Sequence, residues 1–157
     1  MARFATTLLF CALAMSARGG LSGALYEKVS VEPVKTSIYF GYVKLTTPAF
    51  TRTAAGYTAD YHASVVPFFF WNEHGSLTIE ATDDDLQRLA RGETVYFKGH
   101  AANTQGQPRL VEGRAVPQDA TRGRLKLRIF VSRKIQLIFN TTYHFIGGEE
   151  KAEGRKK

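Results

Sequence analysis

Four histidines, three consecutive aspartates and five serines are the side chains after residue 24 whose types first suggest chemistry. A metal site needs ligands that converge, commonly two His at short spacing or a His beside a carboxylate. His62, His74, His100 and His144 stand at no spacing of two or four. Three separate strands could gather three of them, but nothing local demands it, so they read as surface histidines and no metal ligands are assigned. Asp83, Asp84 and Asp85 run straight into Leu86. A calcium loop instead alternates its oxygen ligands and carries a Gly at the sharp turn. Three acids at the start of a helix are explained by the positive end of its dipole.

Nucleophilic chemistry has little to rest on. The sequence contains no G-x-S-x-G elbow and no Gly-rich phosphate loop. Ser30, Ser37, Ser64, Ser76 and Ser132 fall in strands or connections, and Ser22 in an N-terminal segment discussed below. Distant carboxylate pairs of the glycosidase kind occur in any chain with 14 acids. No catalytic residue set is assigned, no cofactor is expected, and the chain reads as a non-enzymatic protein.

Two surface features remain. Arg124, Lys126 and Arg128 share one parity of a strand and form a basic ridge. Arg122, Arg133 and Lys134 extend the run to six cations with no acid among them. Residues 72–93 carry six acids against two cations, so charge is polarised along the chain. Such a ridge can dock phosphates or polyanionic glycans. It can also be a solvated face that suppresses edge pairing. The second feature is Phe68, Phe69, Phe70 and Trp71, which follow Val65-Val66-Pro67. A one-sided strand cannot hide both parities of this run. Cover on both faces, with Leu86 and Leu89 of the nearby helix packing there, is the expectation. The alternative is an exposed aromatic patch of the sort that marks an interface.

The elements that must hold these residues read mostly in period two. Strands are expected at 28–32, 37–45, 57–66, 93–102, 109–116, 124–131 and 135–145, with a hairpin across 72–75 leading into another around 77–80. Tyr57, Ala59, Tyr61, Ala63 and Val65 share a face. So do Val95, Phe97, Gly99 and Ala101, then Leu125, Leu127, Ile129 and Val131, then Ile135, Leu137, Phe139, Thr141, Tyr143 and Phe145. Thr82 to Gly92 breaks the period: Thr82 is a fitting N-cap, Leu86, Leu89 and Ala90 mark one face, and Gly92 ends the helix. The expected fold is mainly β: an antiparallel β-sandwich or small β-barrel of about 8–9 strands with one short helix near 83–91.

The ends read differently. Phe4 to Met15 is a 12-residue uncharged apolar stretch behind Arg3. That is short of the ~20 residues needed to span a bilayer and matches the core of a secretory signal. Ser22-Gly23-Ala24 offers a small-residue cleavage site, and Ala12-Leu13-Ala14 another. Residues 1–24 are therefore expected to be a signal peptide, 25–145 a single all-β domain, and 146–157 a disordered polar tail. Cys11 is the sole cysteine. Phe10 before it is too large for a lipoprotein signal, and its removal leaves no thiol and no disulfide. Loss of Arg3 and Arg18 lowers the formal charge from +7 to +5. Asn140-Thr141-Thr142 is formally a glycosylation sequon, but it lies within a strand and reads as chance.

Together these features suggest an exported, periplasmic or secreted binding or structural module, built as a β-sandwich. Its partner would be an anionic glycan, a lipid surface or another envelope protein. Nucleic acid is not expected outside the cytoplasm. Two alternatives stand beside it. One is a small outer-membrane barrel, which the alternation from Ile135 to Phe145 resembles, although 12 residues follow Phe145 and several strands fall short of the ~9–11 residues needed to span. The other is a ligand- or lipid-carrying barrel with Tyr57, Tyr61 and Phe68–Trp71 lining its cavity.

Overall fold

A computed structural model describes residues 26–147. The strands are β1 (Lys28–Val31), β2 (Val34–Ile38), β3 (Gly41–Thr46), β4 (Phe50–Thr53), β5 (Gly56–Val66), β6 (Glu73–Ile79), β7 (Val95–Asn103), β8 (Pro108–Pro117), β9 (Arg122–Phe130) and β10 (Gln136–Ile146). One helix, α1 (Asp83–Ala90), lies between β6 and β7. Every pairing is antiparallel. β1 continues into β2 beyond Glu32-Pro33, and β3 into β4 across 47–49. β1 pairs β4 while β2 pairs β3, so the four make one long, bent hairpin. β5 takes both halves on one edge, β4 along Gly56–Thr58 and β3 along His62–Val66, and receives β6 on the other. The ring closes through β1–β10. The result is a closed eight-stranded antiparallel barrel with β2 and β3 as two further strands. It is a barrel and not the sandwich of the leading expectation. The two share local patterning, and only the closing β5–β6 and β1–β10 pairings decide between them.

The parities expected for β5, β7, β9 and β10 hold within the strands, but Ile135, expected on the inward face of β10, lies in the connection before it and is exposed. Each inward set faces the barrel interior, where Phe50, Leu77, Val95, Val111, Leu127 and Phe139 are almost fully buried. The glycine Gly113 of β8 makes room for the Phe97 ring, which a Cβ there would meet at about 2.0 Å. The outward set carries Lys98, His100, Arg114, Arg124, Lys126 and His144, all exposed. A lipid-spanning barrel needs an apolar band outside. This one has its apolar side chains inside and its charges outside.

Three local expectations fail for identifiable reasons. Ser37 to Leu45 is not one strand but two, folded back at Tyr39-Phe40. Gly41 enables this with φ +127, and a Cβ there would run into the Val66 carbonyl at 1.8 Å. The turn expected at 72–75 lies earlier, at 67–72, and β6 begins at Glu73. β4 went unread because it is four residues long and follows Pro48.

The helix formed as expected. Thr82 and Asp85 make a reciprocal capping box: the Asp85 N–H donates to Thr82 Oγ1 at 3.2 Å, and the Thr82 N–H to Asp85 Oδ2 at 3.0 Å. Leu86 and Leu89 are buried, and Asp83 pairs with Arg52 of β4. Thr82→Ala is expected to cost about 1 kcal/mol, the usual weight of an N-cap, read by urea denaturation. α1 lies across the end of the barrel from which β1 starts and at which β10 finishes. That end is opposite Phe68–Trp71, so α1 does not cover the aromatic run. The apolar stretch 4–15, the cleavage expected after Ala24, Cys11 and the segment from 148 onward lie outside the described residues.

Candidate functional site at the aromatic end of the barrel

The strands run up and down, so four connections crowd one end: 39–40, 67–72, 104–107 and 131–135. Three of them are neighbours around the ring. β3 lies against β5, and β2 lies beside β10. Gly41 presses its hairpin tip onto Val66 and Pro67. The segment after Pro67 is a single 3-10 turn, Phe69–Trp71, held by the Trp71 N–H donating to the Phe68 carbonyl at 2.9 Å. Asn72 Oδ1 accepts from the Val65 N–H at 2.7 Å and ties the turn to its strand.

Three residues per turn send consecutive side chains in three directions. Phe68, the residue before the turn, packs half-buried on the core. Phe69, Phe70 and Trp71 are left 75%, 65% and 60% exposed. Phe70 packs edge to face on Phe68, Phe69 and Trp71, and Trp71 lies tilted on Phe68, with centroids 5.0–5.9 Å apart. Tyr39 and Phe40 on the adjacent tip are 99% and 74% exposed, and Ile135 is exposed on the third. The expectation that the run would be covered on both faces is therefore wrong. Its assumption was that the residues continue a strand. Exposed Arg133 and Lys134 stand on the third tip, and exposed Lys35 and Lys44 pair lower on the β2–β3 hairpin, where Lys35 Nζ sits 4.8 Å over the Tyr42 ring.

Beneath this rim, inside the barrel mouth, lies a polar cluster that sequence reasoning missed. Glu73 pairs in register with Ala63, Asn103 with Gly75, and Arg109 with Ala101, so all three point inward beside Tyr61. The Tyr61 hydroxyl donates to Glu73 Oε1. Arg109 Nη2 at 2.9 Å and Asn103 Nδ2 at 3.3 Å donate to Glu73 Oε2. Burial alone would raise the Glu73 pKa. The hydrogen bonds from Tyr61 and Arg109 outweigh it and hold the carboxyl below its ordinary value. Burial, and then the Glu73 carboxylate, push the Tyr61 hydroxyl well up. The available signal was a polar residue at inward parity one step beyond an apolar set: Glu73 before Gly75 and Leu77, Asn103 after Ala101, and Arg109 before Val111. Both oxygens of the carboxylate are thus engaged by neighbouring side chains.

At the opposite end, an apolar cavity of about 60 Å³ lies beneath α1, among Val29, Tyr57, Leu86, Phe97, Ala115 and Phe145. Ligand pockets usually measure ~300–1,000 Å³. Of the aromatics expected to line a cavity, only Tyr57 does so.

The basic ridge is on the barrel wall. Arg124 and Lys126 are exposed, and Lys126 faces Arg114 across the β8–β9 pairing. Arg128 is half-buried, with Nη1 3.6 Å from Glu112. Glu112 thus partly neutralises one of the three ridge cations. His62 and His74 stack across β5–β6, their ring centroids 6.5 Å apart, while His100 lies 3.9 Å from Glu80. Among the described residues, no three His, Cys, Asp or Glu side chains converge as metal ligands do. No protein-family model, curated protein or solved structure matches this chain.

Proposed function

We propose that the chain is an exported, non-enzymatic binding module whose binding surface is the aromatic rim. One observation carries the reading: five aromatic side chains, Tyr39, Phe40, Phe69, Phe70 and Trp71, stand exposed on adjacent tips at one end of the barrel. Leaving such a patch in water is costly for a folded protein, and patches of this kind mark interaction sites. Glu73, beneath the rim, is held by Tyr61 and Arg109. The small cavity under α1 gives little support to a carrier of sizeable ligands, and the charged exterior little to a membrane-spanning barrel. Export rests on the pattern of residues 1–24. It is expected to yield a secreted chain whose N-terminal sequence begins at Leu25.

Photo-crosslinking in the source cells tests the surface. A benzophenone side chain at Phe70 is expected to capture adducts, and the same group at Lys126 on the basic ridge is not. Adducts at Lys126 with none at Phe70 would move the binding surface from the rim to the ridge.

A further inference from the structure

We infer that the partner of the rim is an anionic lipid surface, an inference that rests on the rim being the binding surface. Three observations favour lipid. The rim is built from Trp, Tyr and Phe, which settle at the membrane–water interface because one part of each is apolar and, in Trp and Tyr, another is polar. The exposed cations Arg133 and Lys134 stand beside it, and Lys35 and Lys44 are exposed lower on the β2–β3 hairpin. Among the described residues of the four connections and their flanks, the only acid is Glu73, which is turned inward and held by Arg109. Cations so placed gain from an anionic headgroup layer.

The opposite end is of mixed sign, its acids Asp83, Glu93 and Asp119 being paired with Arg52, with Arg88 and Arg91, and with Arg122. Asp83, Asp84, Glu80, Glu93 and Glu27 are exposed there. The charge of Arg133 and Lys134 beside the rim, unpaired among the described residues, therefore favours a rim-down approach to a negative surface, which leaves α1 facing water. Tyr26 and Gly147, the limits of the described chain, also lie at the α1 end. A second copy docking rim to rim would set Arg133 and Lys134 against their own duplicates, which like-charge repulsion opposes. The aromatic tips are short loops, so they enter the headgroup region and do not span, as interfacial segments do.

The experiment is co-sedimentation of the full chain with vesicles of phosphatidylglycerol and phosphatidylcholine in equal parts, and with phosphatidylcholine alone. Binding is expected to the anionic vesicles, at least tenfold weaker to the neutral ones, and to weaken as salt is raised. Phe69→Ser/Phe70→Ser/Trp71→Ser is expected to lower partitioning at least tenfold and Arg133→Gln/Lys134→Gln severalfold, each keeping the wild-type melting temperature. Arg124→Gln/Lys126→Gln on the ridge is expected to bind as wild type does. Should the triple variant unfold, Phe40→Ser alone gives the same reading, because Phe40 makes no contact with the core. Comparison within one full chain keeps any contribution of the apolar stretch 4–15 common to all variants. Undiminished binding by the rim variants, loss of binding in the ridge variant, or no binding by the wild type would overturn the lipid assignment. If vesicle binding fails while Phe70 still crosslinks a protein, the rim stands as the binding surface and its partner is a protein. If Phe70 captures nothing as well, both readings fall.

Discussion

Arg109→Met is expected to destabilise the barrel by about 2–4 kcal/mol at neutral pH. Removing one member of a fully buried ion pair costs ~3–5 kcal/mol, and Glu73 retains a quarter of its side-chain exposure, so solvent recovers part of that. The methionine replaces the apolar length of the arginine, so the loss isolates the charge and its hydrogen bond to Glu73. The effect depends on pH, and its sign follows from the Glu73 carboxyl, which is held below its ordinary 4.5 in the fold. A depressed carboxyl contributes stability that is fully present above the unfolded value and is lost as pH falls through the folded one. The wild type should therefore lose this contribution below about pH 4.5. In the variant, burial acts on the carboxyl with less opposition, its pKa rises, and a protonated Glu73 no longer needs the cation. Urea denaturation is expected to show the gap between the two proteins narrowing from pH 7 to about pH 3. An equal gap at both pH values would remove Glu73 from the effect.

Phe139→Ala should have the largest effect among single core truncations, about 3–5 kcal/mol. Phe139 is 1% exposed on β10 and faces the barrel interior. A closed barrel cannot move one strand inward without breaking pairing on both sides, so the void stays open and the cost lies toward the upper part of that range. Against a total of ~5–15 kcal/mol for a typical domain, this is enough to depopulate the fold at moderate temperature. Denaturation by urea should show a lower midpoint with an unchanged slope. A cost below about 1 kcal/mol would mean that the interior is loosely filled. The contrast with the rim is the informative part. Phe69 is as large as Phe139, yet its truncation should shift stability by less than about 0.5 kcal/mol, because water already covers it.

How much of this was legible depends on whether the physics was local. Strict alternation at Tyr57–Val65 and Leu137–Phe145 identified inward faces correctly, because a strand with one buried side has no other way to write its sequence. Thr82 and the three aspartates gave the helix for the same reason: capping and dipole act within one turn. Closure was not local. The β5–β6 and β1–β10 pairings join residues whose own patterns fit a sandwich equally well. The β2–β3 hairpin was hidden in an unbroken β-prone run, with only Gly41 marking the fold-back. Phe68–Trp71 was misjudged because period-two reasoning has no place for a 3-10 turn. The Tyr61–Glu73–Asn103–Arg109 cluster was missed because Glu73, Asn103 and Arg109 each look like ordinary residues at a strand end, and register alone brings them to Tyr61.

The central claim is that the aromatic rim is open to water in the free protein and is the surface that binds. Trp71 is the sole tryptophan of the chain, so its fluorescence reports from the rim alone. In the free protein it should emit as a water-exposed indole and be readily quenched by acrylamide. With anionic vesicles its emission should move to shorter wavelength and the quenching should largely disappear. Protein that is vesicle-bound while Trp71 stays exposed and quenchable would contradict the claim, as would a Trp71 already shielded in the free protein.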